Sequence, residues 1–155
     1  MKYIKIFEDF TKDDVSMYFV DFTDSGWDIN ISKMRKDDEW SIRTYSENAY
    51  HITLSYHSET PPNRQDITNK INETIPILEE VALRLSDDGN TFGRINLGIS
   101  INKRGVGCHR DYDFKLKDGD IVMTKTFDLE KFYKESIDHW ECTSWYLSIL
   151  CCINY

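Results

Sequence analysis

The sequence predicts an α+β fold: a single layer-type domain over residues 1–155, with about three helices on a mainly antiparallel sheet. Three observations lead there. Apolar residues recur at helical spacing in some segments and in strict alternation in others. The alternating segments follow one another across short polar turns, as hairpins do. The chain also shows no repeat, low-complexity tract or linker, and two domains would leave pieces too small for separate cores.

The elements follow in order. Tyr3–Phe7 reads as a first strand. Thr11-Lys12-Asp13-Asp14 is a capping box with Asp in its last place. Val15, Tyr18, Phe19 and Phe22 then form one apolar stripe, and Gly26 is the natural stop because glycine takes the left-handed conformation most easily. Trp27, Ile29 and Ile31 alternate with Asp28, Asn30 and Ser32. Trp40, Ile42 and Thr44 alternate again, as do Ile52, Leu54 and Tyr56. These three runs predict a three-stranded meander.

Residues 64–86 carry the longest helical pattern, with Ile67, Ile71, Ile75, Leu78, Ala82 and Leu85 on one side. Pro76 lies inside it, where the missing N–H predicts a kink or a division. Ile95, Leu97, Ile99 and Ile101 make the clearest strand. Asp118-Gly119 is a hairpin turn signal between a strand ending near Leu116 and its partner at 121–127. Asp128 can cap a third helix with Leu129, Phe132 and Ile137 inward. Trp145–Ile153 is apolar at successive positions, the pattern of a strand covered on both faces.

Charge narrows the partners. The net charge is −8, and no third of the chain is net basic. Duplex binding by phosphate neutralisation is therefore disfavoured, while a basic partner suits the surface. Aromatic residues make up 14% of the chain, which argues for a packed core over disorder. No apolar run approaches the ~20 residues that span a bilayer, and the first residues lack a signal-peptide core. A cytoplasmic protein is expected, its four cysteines being reduced thiols. Exposed aromatics on a sheet leave room for a homo-oligomer.

Two segments could carry chemistry. Tyr50-His51-Ile52-Thr53-Leu54-Ser55-Tyr56, followed by a loop and a long helix, resembles one arm of the two-histidine phosphoesterases, the LigT-like group. In that family two His-x-Ser/Thr strands meet in a groove and act on cyclic or 2′-5′ nucleotides. The resemblance implies His51 as acid/base and Thr53 as its phosphate-binding neighbour, since residues two apart on a strand share a face. It covers about residues 50–80. The other histidines read His57-Ser58-Glu59, His109-Arg110-Asp111 and His139-Trp140-Glu141, none with Ser or Thr two residues on. His109 is then the candidate second base, because one imidazole cannot supply both proton transfers.

The second segment is Asn102-Lys103-Arg104-Gly105-Val106-Gly107-Cys108-His109-Arg110. Glycine-freed amides and cationic side chains can cradle an anion, and Lys103, Arg104, His109 and Arg110 are the candidate ligand-binding residues. His139-Trp140-Glu141-Cys142 with Cys108-His109 contains zinc-type donors, but there is no Cys-x-x-Cys. No metal site or cofactor is assigned.

The opening Met1-Lys2-Tyr3-Ile4-Lys5-Ile6-Phe7-Glu8-Asp9-Phe10, with Asp14-Val15, Tyr18-Phe19 and Asp24-Ser25-Gly26-Trp27-Asp28-Ile29, is similar to the start of many small proteins of large tailed bacteriophages. That resemblance implies an accessory protein of the host cytoplasm. The absence of a complete catalytic set in an acidic, aromatic-rich domain adds the expectation of a non-enzymatic protein, one that binds and inhibits a host protein or sequesters a defence signal such as a small anionic nucleotide. The alternatives are a phosphodiesterase or nucleotide-binding protein of two-histidine type, and a virion component.

Overall fold

The structure is a computed structural model that describes residues 11–33, 49–103, 106–117, 120–123, 131, 134 and 142–154; over 103–123 it describes the backbone and its register. The expected strand at Tyr3–Phe7, the run at Trp40–Thr44 and most of the helix after Asp128 lie outside these residues.

Helix α1 (Lys12–Tyr18) starts on the expected capping box: the Thr11 hydroxyl accepts from the Asp14 N–H, and the Asp14 carboxylate accepts from the Thr11 N–H at 2.7 Å. The stripe does not form one continuous helix. The chain breaks at Phe19 (φ −107°, ψ 14°) and resumes as α2 (Val20–Asp24). Burial explains why the break is tolerated, since Val15, Phe19 and Phe22 are all fully buried. Gly26 then takes φ +83°, the left-handed stop that the sequence places there.

Among the described residues, six strands form one antiparallel sheet in the order β1-β2-β6-β3-β4-β5. They are β1 (Asp28–Lys33), β2 (Ala49–Ser58), β3 (Thr91–Lys103), β4 (Val106–Lys117), β5 (Asp120–Met123) and β6 (Cys142–Asn154). The expected meander is corrected here: β1 pairs directly with β2, with Ile31 opposite Ile52, so no third strand lies between them. The β4–β5 hairpin agrees with its turn signal, Lys117 pairing with Asp120 across Asp118-Gly119.

The longest helix, α3, runs from Arg64 to Asp87 as one element of 24 residues, so Pro76 does not divide it. The side opposite Pro76 explains this. Ile67, Ile71, Thr74, Leu78, Val81, Ala82 and Leu85 are buried on both sides of the proline, while Pro76 is exposed. The carbonyl left without its N–H partner can therefore turn to water, and packing on the sheet outweighs the local penalty.

The core lies between α3 and one face of the sheet. Ile52 and Leu54 of β2, Leu147, Ile149 and Ile153 of β6, and Ile95, Leu97, Ile99 and Ile101 of β3 meet the helix there. The intervening residues of β6 are only half covered or exposed, except the buried Cys152. Leu150 is 36% exposed, so β6 is not sealed on both faces as its composition predicts. Central position and cross-strand pairing account for its apolar character. An aromatic chain closes one end of the core: Phe22 meets Trp27 edge-on at 5.6 Å, Trp27 lies 5.6 Å from Tyr56, and Tyr56 lies 5.7 Å from Trp145. Polar ties fix α3 to α2. Arg84 pairs with Asp21, and Lys70 Nζ donates to the Ser25 carbonyl at 3.1 Å.

Candidate functional site

Strand parity decides where the predicted site residues stand. Ile52 and Leu54 are core residues, so His51 and Thr53 project from the far face, away from α3. Both are half-buried. Burial holds the His51 imidazole below its usual value of 6.5, favouring the neutral form. His51 lies opposite Cys152 of β6, which lies opposite Arg94 of β3. One transverse row thus holds an imidazole, a thiol and a guanidinium. Thr53 belongs to the next row on that face, with Leu150 and Asn96.

His109 takes a different row. It pairs with Ser100, Ser100 with Tyr146, and Tyr146 with His57. Along β6 the two rows are six residues apart, which is ~20 Å of strand. His109 is also three strands from His51, ~14 Å more sideways at ~4.8 Å per step. The expected His51–His109 pair is corrected by this register, because the two positions lie ~25 Å apart and cannot flank one phosphoryl group.

The anion-cradle segment has a described backbone at 102–103 and 106–110, while its side chains from Lys103 onward lie outside the described residues. The segment 102–110 is mostly strand, since Lys103 closes the β3–β4 hairpin opposite Val106, and Cys108, His109 and Arg110 belong to β4. His109 takes the register of Ser100 and Arg110 that of Ile99, alternate positions of the pleat, so one shared cradle does not follow from their sequence adjacency. Arg104 lies outside the described residues. Of the zinc-type donors, His139 and Glu141 lie outside the described residues. Cys108 pairs with Ile101, in the row of Trp145, three residues along β6 from Cys142. Among the described residues no three His, Cys, Asp or Glu side chains converge on a metal position.

A cleft that the sequence reading missed lies on the helix side, at the end of the sheet where β2 and β6 run past the N-terminal half of α3. Its volume is about 330 Å³, and Tyr56, Ser58, Thr60, Asp66, Lys70 and Trp145 are among its walls. Lys70 lies flat in it, only 14% exposed, its ammonium 4.2 Å from the Tyr56 ring centroid and 3.6 Å from the Glu73 carboxylate. Ser58 and Thr60 hydroxyls share a 2.8 Å hydrogen bond at the rim. Trp145 is 3% exposed, and its Nε1 has no hydrogen-bond acceptor among the described residues. In sequence, Asp66, Asn69, Lys70 and Glu73 look like an ordinary solvated helix face. Only the long-range approach of β6 turns that face into a wall.

The chain matches no family model, no curated protein and no solved structure.

Proposed function

We propose that the chain is a non-catalytic binding protein, an accessory protein of phage type that acts in the host cytoplasm by gripping a host protein. The observation that supports this reading over a phosphodiesterase is the register: His51 and His109 share a sheet face but stand ~25 Å apart. Two imidazoles that far apart can each hold a ligand but cannot exchange two protons with one phosphoryl group. Exposed apolar side chains on the helical layer, Met17 at 71%, Val20 at 48% and Leu83 at 60%, offer contact area to a partner. The helices that carry them are tied together by Arg84–Asp21 and by Tyr18 donating to Asp88. The surface charge of −8 favours a partner with a basic face.

One observation favours a second reading, nucleotide sequestration. His51 and Arg94 stand in one row two strands apart, ~10 Å between backbones, a span that suits a phosphorylated ligand.

The test is affinity capture from bacterial lysate, followed by reconstitution with the captured protein at defined stoichiometry. A complex weakened at least tenfold by Met17→Asp or Leu83→Asp is expected. Retention of no protein would contradict the leading reading. Saturable binding of cyclic nucleotides lost in His51→Ala and Arg94→Ala would favour the second.

A further inference from the structure

We propose that the outer edge of β1 docks an extended, basic segment of a partner protein, which adds beside it as a further strand. The inference rests on the partner-binding reading and names its surface and the chemistry of the partner.

The backbone supplies the first part of the argument. All six residues of β1 pair with β2, from Asp28 opposite Ser55 to Lys33 opposite Tyr50, and this uses one edge of the strand. Among the described residues no strand pairs with the other edge. Every second residue of an edge strand turns its N–H and C=O outward, a row that an extended chain satisfies. The opposite edge of the sheet is a poorer template, because β5 is four residues long and lies beside α3.

Side chains set the pattern of the incoming strand. On the helix side Ile31 is buried and Ile29 only half-buried, so an apolar neighbour would complete the cover of Ile29. On the far face Asp28, Asn30 and Ser32 are exposed. A segment that alternates apolar and polar residues matches both faces. Helices α1 and α2 pack on β1 and carry the exposed Met17 and Val20.

Charge selects the polar residues. From Lys12 to Lys33 the chain holds five carboxylates, Asp13, Asp14, Asp21, Asp24 and Asp28, against two ammonium groups. Arg84 pairs with Asp21, while the other four carboxylates are exposed. Lysine or arginine at the polar positions of the incoming strand complements them. A second copy of this chain would bring the same carboxylates and a further charge of −8 to the edge, and is disfavoured.

The experiment titrates the full chain with a synthetic peptide of about ten residues that alternates lysine and valine. Two comparison peptides replace lysine by glutamate, or every second valine by proline. Saturable binding of the lysine–valine peptide is expected, with both comparison peptides weaker by about tenfold or more. Hydrogen exchange read residue by residue should show alternate amides of 28–33 slowed by the peptide. Asp28→Lys and Asp24→Lys should each weaken binding severalfold with the melting temperature unchanged. No saturable binding, equal binding of the proline peptide, indifference to both substitutions, or self-association that protects the same amides without peptide would overturn the proposal. A host protein captured from lysate that leaves the β1 amides unprotected would keep the partner-binding reading and overturn this one. Peptide protection of β1 with no host protein captured would do the reverse.

Discussion

His51 shows how much one strand position decides. The same residue on the helix side would be a core histidine; on the far face it is half-buried and held neutral. Its folded-state pKa lies below the unfolded value, so the unfolded chain binds the proton more readily. Stability is therefore complete above about pH 6.5 and declines as pH falls toward the depressed value. Urea unfolding of the wild type and His51→Gln across that range should show the wild type losing more stability on acidification. Parallel curves would contradict the placement. Tyr18 gives the opposite sign. Burial and its hydrogen bond to Asp88 raise its pKa to about 12. Its contribution is present below pH 10 and is lost as pH rises toward 12. Tyr18→Phe should flatten that alkaline loss, as read by far-UV circular dichroism against pH. Phe22, fully buried against Trp27, should be costly to truncate: Phe22→Ala is expected to destabilise by about 3–5 kcal/mol in denaturant titration.

At the scale of elements, local signals read well where they are local. Thr11 and Asp14 announce the first helix, Asp118-Gly119 the hairpin, and the isoleucine series of 67–85 the long helix, because each depends on neighbours within a few residues. Pro76 marks where that legibility ends. Its intrinsic penalty is visible in sequence, but the sheet contacts that outweigh it are not. Pro76→Ala should restore the missing helical hydrogen bond and raise stability by about 1–3 kcal/mol, measured by thermal unfolding. A loss of stability would mean that the proline shapes the helix's fit to the sheet. The break at Phe19 was hidden for the same reason. The stripe has helical spacing throughout, and only the depth of Phe19 and Phe22 in the core decides how the backbone turns.

Across the whole molecule, strand order controls both fold and site. The last described strand, β6, inserts between β2 and β3 and pairs with both along most of its length. Such long-range pairings leave no mark on local sequence, which explains why the sheet's composition was legible while its order was not. Amides of Leu147–Cys151 are expected to be the slowest to exchange in native-state hydrogen exchange, because β6 joins the two halves of the sheet. The same insertion carries Trp145 to Tyr56 and Lys70, forming the cleft, and sets His51 and His109 in rows ~25 Å apart. A segment resembling one catalytic arm is thus built onto a frame that holds its candidate partner out of reach. The most direct measurement is product formation when purified, metal-free protein is incubated with 2′,3′-cyclic, 2′-5′-linked and cyclic oligonucleotides. The expected result is no turnover beyond one equivalent. Multiple turnovers abolished by both His51→Ala and His109→Ala would show that the two imidazoles cooperate and would contradict the account.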